Sequence, residues 1–329
     1  MQNMLFIIGM HKSGSSLLRS LFDSNSNLFT IPIETHFAKL LGYWISYNLR
    51  GQKYKKVSSE RFKENCIEYV KEVNMLDKKS FNYTDNNLHQ NFDIKLFEEY
   101  LKSISSKSES ELIVHYFKAL YYSLYKKELE KETLIIEKSV ENAEFVIDLK
   151  KLFPTSKFIH IIRNPYSNIV SLRKYLSRKD KKYPFLKSAC FSLKNNWYFL
   201  EKNKKIIEND YKIIRYEDLI TDTEKVMKGA CEFLNIPFED NFLIPTQMGD
   251  LWQGNSTRNI KYKSVSSANL NLWKEDITPL EISLINKIFG ENLKKYDYDY
   301  VPSQNIKKRI KKESIIKYFA NRFLLKKIL

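Results

Sequence analysis

A chain of 329 residues, 43% of them apolar and 14% aromatic, is long enough to bury one large α/β core or two smaller ones. The formal charge of +16 and isoelectric point near 9.4 call for an anionic partner, but the aromatics sit at core-like positions and no nucleic-acid motif is present, which argues against DNA or RNA. Three cysteines make no disulfide framework, so a reducing compartment fits, and no run approaches the roughly 18 apolar residues of a membrane span.

The first 22 residues read as strand, turn and helix. The apolar run Leu5-Phe6-Ile7-Ile8 stops at Gly9, the loop His11-Lys12-Ser13-Gly14-Ser15-Ser16 follows, and Leu17, Leu18, Leu21 and Phe22 recur at helical spacing. That order gathers free backbone N–H groups and the positive end of a helix dipole around one point, a site for phosphate or sulfate. The nucleoside-triphosphate version of this loop places Lys and then Ser/Thr directly after its second Gly. Here Ser15 and Ser16 follow Gly14, and Lys12 lies on the other limb, so the loop does not read as an ATPase. A strand-like stretch at 28–31 leads into Pro32-Ile33-Glu34-Thr35-His36, where Glu34 is expected to open a helix whose N-terminus favours an ionised carboxylate. Residues 43–133 read as helical and polar, with amphipathic stretches at 60–73, 93–104 and 109–129. Strands of one sheet flank this region, so it is expected to be an inserted helical cap.

Strand–helix alternation then resumes. Residues 134–139, Leu-Ile-Ile-Glu-Lys-Ser, read as a strand, and a helix is expected over 141–152, taking in Asp148. Residues 158–162 read as a buried parallel strand with Arg163 at its carboxyl end. Asn164 and Pro165 supply a cap and a first helical position, and Ser171 falls in the second turn. Ligands of open α/β sheets gather at the carboxyl ends of the strands, where Arg163 would project. The longest helix is expected at 184–208, a strand at 211–214, a loop-rich stretch at 241–277, and a helix at 278–290 introduced by Thr278-Pro279. The expected fold is α/β: a P-loop-like central parallel sheet flanked by helices, with residues 1–300 as one domain. Residues 301–329 form a separate tail. From 305 onward nine Lys/Arg stand against Glu313 alone, a net +8, with Ile306, Ile310, Ile316, Phe319, Phe323 and Leu324 at roughly helical spacing. Such a basic amphipathic helix either lies on an anionic membrane surface or packs on a protein face, this domain included.

The loop at 11–16 resembles that of the sulfotransferase family, Pro-Lys/Arg-Ser-Gly-Thr/Ser-Thr/Ser, which binds the 5′-phosphosulfate of 3′-phosphoadenosine-5′-phosphosulfate (PAPS); His11 replaces the usual Pro. The spacing from Arg163 to Ser171 is similar to the family's 3′-phosphate site. Glu137-Lys138-Ser139 is similar to the family's Glu-Lys-Thr-Pro strand end, with Val140 in place of Pro, and would bring Lys138 to the crevice of Lys12. Arg215-Tyr216-Glu217-Asp218-Leu219 resembles a strand-to-helix segment that makes Tyr216 the adenine neighbour. Trp252-Gln-Gly-Asn-Ser256 and the later Ser267 and Leu272-Trp273-Lys274 are similar to the cofactor-covering loop and closing helix of carbohydrate-type members, with Arg258 and Lys261 adding charge. The resemblance runs in patches from residue 4 to about 300 and matches nothing in 43–133.

The resemblance implies a PAPS-dependent sulfotransferase acting on an acceptor hydroxyl. The backbone N–H groups of Ser13, Gly14, Ser15, Ser16 and Leu17 would hold the phosphosulfate. Lys12 would neutralise charge as adenosine 3′,5′-bisphosphate (PAP) leaves, and Lys138 would act on the transferred group. The acceptor's proton needs a base. Small-molecule members use a His just after the second lysine, but positions 140–142 are Val, Glu and Asn here. Protein-tyrosine members use a Glu in a Glu-Thr pair, matched by Glu34-Thr35; His36 is the other candidate, since its ordinary pKa suits the task. No metal is implied, because the histidines and cysteines show no ligand spacing. A glycan or glycoconjugate is the expected acceptor, with peptide tyrosine or a small molecule as alternatives. A non-catalytic PAP-binding relative at a membrane is the rival class. A first strand starting at residue 4 or 5 leaves no room for a leader, so the expected location is cytoplasmic, at the inner face of the membrane if the tail binds lipid.

Overall fold

The computed structural model describes residues 2–43, 56–75, 92–106, 108–178, 182–256, 260–290, 292–302 and 319–321. Five strands, β1 (Met4–Gly9), β2 (Leu28–Thr30), β3 (Leu134–Lys138), β4 (Lys157–Ile162) and β5 (Tyr211–Arg215), form a parallel sheet of order β2-β3-β1-β4-β5. Every residue of β1 is buried, as a central strand covered on both faces requires. Met4, Phe6 and Ile8 enter the larger core layer, and Leu5 and Ile7 the smaller one. The register sets Ile7 opposite Lys138 and Gly9 opposite Ile161. Strand order reverses around β1, so its carboxyl end opens at the switch point where such sheets hold ligands.

Helix α1 (Ser15–Asp23) follows β1 directly, and the four-residue α2 (Phe37–Leu40) follows β2. Three amphipathic helices of the 43–133 region come next: α3 (Ser59–Asn74), α4 (Ile94–Lys102) and α5 (Glu109–Tyr125). The Ser58 side chain caps α3 and Asp93 caps α4, as short polar residues do at a helix start. Phe62, Phe97, Tyr116 and Phe117 share one core with Phe6 and Phe37, so these helices are built onto the sheet's main layer. After β3 come α6 (Val146–Leu152) and, after β4, α7 (Pro165–Leu176) and α8 (Lys187–Ile207). Asn164 Oδ1 accepts the N–H groups of Tyr166 (3.0 Å) and Ser167 (3.3 Å), and Pro165 opens α7, the start its sequence predicts. After β5 come α9 (Tyr216–Thr221) and α10 (Thr223–Leu234), then the small hairpin strands β6 (Thr246–Gln247) and β7 (Asp250–Leu251). The chain continues as α11 (Trp273–Asp276) and α12 (Pro279–Phe289), the latter held by a Thr278–Glu281 capping box.

Three sequence expectations are corrected. The helix expected over 141–152 is broken: a 3₁₀ turn, Val140–Glu144, precedes α6 because the Asn142 side chain turns inward to donate to Glu137 Oε2 (2.7 Å). Glu34 does not open a helix. Phe37 does, with His36 as its cap in the left-handed region at φ 49°. The third expected helix of the insertion stops at Tyr125 rather than 129, since Lys126 turns left-handed (φ 57°) and closes the end by donating to Tyr122 O (2.8 Å). Of the tail at 301–329, only 301–302 and 319–321 lie within the described residues. In the second of these, Asn321 is buried, accepting from Leu186 N (2.7 Å) and donating to Pro184 O (2.9 Å). Among the described residues no helix is long and apolar enough to cross a membrane.

Candidate active site

The loop between β1 and α1 is fastened from the neighbouring strand end. Arg163 Nη1 donates to Lys12 O (2.9 Å), and Asn168 Nδ2 of α7 donates to His11 O (3.0 Å). These bonds hold Lys12 in the left-handed region at φ 65°, a conformation non-glycine residues adopt at some cost and mostly where a site requires it. The first intrahelical bond of α1 runs from Leu18 N to Gly14 O (3.1 Å), which leaves the amides of Ser15, Ser16 and Leu17 at the open helix end. Among the described residues no side chain caps that end. The N–H of Ser13, expected among the anion donors, is instead used inside the turn, donating to Met10 O (3.1 Å). Its hydroxyl is buried with no hydrogen-bond partner among the described residues.

Above the loop lies a pocket of about 170 Å³. Lys12, Gly14, Ser15, Ser16, Leu17, Arg163, Ser171 and Tyr216 all line it, so residues from three strand ends meet at one pocket. Gly14 (φ +104°) lies directly under Tyr216: a β-carbon there would fall 2.3 Å from the ring's Cδ2. The Arg163 guanidinium lies 4.7 Å from the centre of the same ring. Trp252, Asn255 and Ser256 close one side. Lys12 Nζ reaches the Asn255 carbonyl at 3.4 Å and lies 5.3 Å from the Tyr175 ring centre. Trp273 closes another side, stacked on Tyr166 at 5.6 Å and 10°. Ion pairs Arg173–Glu281 and Lys174–Asp276, both 2.5 Å, bind α7 to the segment carrying Trp273. Lys261 is exposed and does not line the pocket, and Arg258 lies outside the described residues.

Glu34 and Lys138 do not line this pocket; they form a second cluster next to it. The Lys138 ammonium, almost wholly buried, is ion-paired to Glu34 Oε1. His36 Nδ1 is bonded to Glu141 Oε1, while His36 Nε2 lies 3.7 Å from Glu34 Oε2. Behind them is Glu137, fully buried, which accepts from Thr35 Oγ1 (2.7 Å), Ser139 Oγ (2.5 Å) and Asn142 Nδ2 (2.7 Å). Burial alone would raise the Glu34 carboxyl, but the Lys138 charge, then His36 and His11, outweigh it and hold it well below the usual carboxylate range. Burial likewise would lower His36, but Glu141, then Glu34 and Glu137, outweigh it and hold the imidazole above its ordinary 6.5. Glu137 is pushed up to about 7 by burial, against its hydroxyl donors. His11 joins the two halves. It is exposed beside Lys12, close enough to Glu34, Glu141, Lys138 and His36 to feel their charges, and loss of solvation lowers its pKa.

Comparison with known proteins now decides the class. The model of the "Sulfotransferase family" matches residues 5–240, which include the loop, both lysines, Glu34, Arg163 and Tyr216. The chain belongs to the sulfotransferase family. It is an enzyme of sulfuryl transfer. A search of the curated proteins finds no match. Among solved structures, the chain is similar to the sulfotransferase domain from the curacin biosynthetic pathway, with TM-score 0.55 and 21% identity over 92% of this chain and 99% of that one. It is also similar to the sulfotransferase domain from the Synechococcus PCC 7002 olefin synthase, with TM-score 0.54 and 19% identity over 92% of this chain and 96% of that one. A mouse sulfotransferase complexed with PAP aligns over 90% of this chain and 86% of its own at 16% identity and TM-score 0.39.

Asn255, in the segment 252–256 singled out from the sequence, reaches Lys12 through its main-chain carbonyl. Two other site residues had no sequence signal. Tyr262 lines the pocket by packing against Gly254, one aromatic among many in a chain with 21 tyrosines. Glu141 meets His36 from more than a hundred positions away, because the 3₁₀ turn after β3 aims it there.

Proposed function

We propose that this sulfotransferase takes its sulfuryl group from PAPS and moves it to a hydroxyl of a glycan or glycoconjugate. The observation that carries the donor assignment is the convergence of the open α1 terminus, Lys12 and Arg163 on one pocket under Tyr216. The residues fit a doubly anionic nucleotide. Among the described residues Ser13 Oγ and Arg163 Nε are buried without hydrogen-bond partners and no side chain caps the α1 amides.

In this reading the amides of Ser15, Ser16 and Leu17 and the hydroxyls of Ser15 and Ser16 hold the 5′-phosphosulfate. Arg163 and Ser171 take the 3′-phosphate, and Tyr216 offers its ring to the base. Bound PAPS supplies an activated sulfuryl group with a stable phosphate leaving group. The chain supplies position and charge, which are the main contributions a protein makes to such transfers. Lys12 counters negative charge on the departing phosphate, and Lys138 stands ready for the transferred group. The acceptor's proton is taken within the Glu34–His36–Glu141 cluster. Carboxylates beside an aromatic ring, here with Tyr69 edge-on to His36 at 5.4 Å, are groups that bind sugar hydroxyls and faces, which supports the carbohydrate reading. The tail segment at 319–321, with Asn321 buried against 184–186, supports packing on the domain over a membrane role.

The test is calorimetric titration with PAP, AMP and ATP. Binding of PAP that is lost on removing the 3′-phosphate is the expected result; equal affinity for all three would remove the Arg163–Ser171 site from the reading.

A further inference from the structure

His36 stands out on its backbone before its chemistry is considered. Within the site it and Lys12 are the two non-glycine residues with left-handed φ, 49° and 65°. Such strain persists where surrounding contacts over-determine it, and it gathers at functional sites. Here the contacts are visible: His36 N donates to Ser139 Oγ at 3.4 Å, Thr35 beside it is tied to Glu137, and Tyr69 and Tyr116 donate to the carbonyls of Glu34 (2.5 Å) and Thr35 (3.3 Å). The outcome is an imidazole held between two carboxylates with a quarter of its side chain still exposed.

The two ring nitrogens have different duties. A carboxylate only accepts, so Nδ1 carries the hydrogen that Glu141 receives, and Nε2 is left as the acceptor in the neutral ring. Glu34, by contrast, is engaged by Lys138. A carboxylate whose proton affinity is lowered by an ammonium is a poor proton acceptor near neutrality, whereas an imidazole near its own pKa is well matched.

We propose that His36 is the general base, that Glu141 is the residue that positions it, and that Glu34 serves as the counter-ion of Lys138. As the acceptor oxygen forms its bond to sulfur, its O–H bond breaks and the proton passes to the Nε2 lone pair. The S–O bond to the phosphate breaks in the same transfer, and its electron pair leaves on PAP. Glu141 stabilises the imidazolium that results, through the Nδ1–H bond already in place. The groups facing His36 from every element packed on it are Glu34 on its own segment, Glu137, Lys138 and Glu141 from β3 and the 3₁₀ turn, His11 from the anion loop, and Tyr69 from α3. Three carboxylates around one ring favour the imidazolium, so the base is active on the alkaline side of its midpoint. The inference rests on the PAPS-dependent reading above.

The test uses the full chain as wild type, Glu141→Gln, Glu34→Gln and His36→Gln. Ring-proton NMR titrates His36, its signal being the one missing from His36→Gln. PAP release from PAPS, with water as the acceptor, gives the rate across neutral pH, and calorimetry gives PAP affinity. In the wild type the rate is expected to rise with pH at the midpoint that NMR reads for His36. Glu141→Gln should move both midpoints down together and lower the plateau roughly tenfold or more, with PAP affinity unchanged. Different midpoints in the wild type, or an unmoved His36 titration in Glu141→Gln, would overturn the proposal. So would a pH profile flattened by Glu34→Gln while His36→Gln keeps it. Should His36→Gln fail to fold, the signal is assigned by elimination from the other four histidines, and the remaining comparisons still decide. A wild type that does not bind PAP defeats the PAPS reading itself, whereas PAP binding with mismatched midpoints defeats the base assignment alone.

Discussion

Gly14→Ala probes the most constrained point of the site. Gly14 sits at φ +104°, and a β-carbon there falls 2.3 Å from Tyr216 Cδ2 and 3.0 Å from Cε2, contacts that only movement of the ring relieves. The left-handed backbone costs a residue with a β-carbon about 1–2 kcal/mol, and forcing extra volume into a packed site about 1–3 kcal/mol more. The expected loss of stability is therefore about 2–5 kcal/mol. With an unfolding entropy near 2.1 cal/mol/K per residue, a chain of 329 residues loses roughly 3–7 °C in Tm. The functional effect is separate. Arg163 lies on the same ring and also holds the Lys12 carbonyl, so a displaced Tyr216 disturbs the guanidinium. Loss of a hydrogen bond to a charged group, about 1.5–3 kcal/mol, weakens PAP binding about 10- to 100-fold. Gly249→Ala is the control, with φ +84° and nothing within 4 Å of its β-carbon, so it carries the backbone cost alone. Scanning calorimetry and PAP titration of both variants decide the matter. If Gly14→Ala lowers Tm no more than Gly249→Ala and keeps wild-type PAP affinity, the argument from Tyr216 fails.

Other perturbations address single charges. Arg163→Met should weaken PAP binding about 10- to 100-fold and leave AMP binding nearly unchanged; an equal loss for both nucleotides would show that Arg163 holds the loop and not the 3′-phosphate. Lys138→Met strands a largely buried Glu34 carboxylate and should cost about 3–5 kcal/mol in denaturant unfolding, most of it recovered in the Glu34→Gln/Lys138→Met double variant; additive losses would refute the pairing. The folded Glu34 pKa lies below its ordinary 4.5, so the pair's contribution is present above that value and fades as pH falls through the lower, folded one. Glu137 has the opposite sign: raised to about 7, it binds its proton more tightly in the folded state, so its ionisation lowers stability as pH rises from about 4.5 to 7. Glu137→Gln should remove that decline and gain on the wild type at alkaline pH. The Asn142 Oδ1, buried without a partner among the described residues, can turn to accept the new amide. An unchanged pH dependence would contradict the assignment.

The anion loop and the strand ends were legible from sequence because their determinants are local. A buried strand, a Gly-Ser turn and an uncapped helix are set by neighbours a few residues apart, and Asn164-Pro165 fixes where α7 starts and hence where Arg163 and Ser171 point. Backbone geometry and the apolar period specify such units without knowledge of the rest of the chain. The Glu34–His36–Glu141 cluster is different. Glu34 was visible as a carboxylate, but its pairing with Lys138 follows from β2 and β3 lying side by side, and Glu141 reaches His36 only because Asn142 is drawn inward to Glu137 and breaks the expected helix. The sequence by itself determined an α/β chain with a Gly-Ser loop between the first strand and helix, and the charged residues that gather near it. Which carboxylate is bound to an ammonium, and which orients an imidazole, was decided by the tertiary structure, because proton affinity depends on burial and on charges a few ångströms away in space.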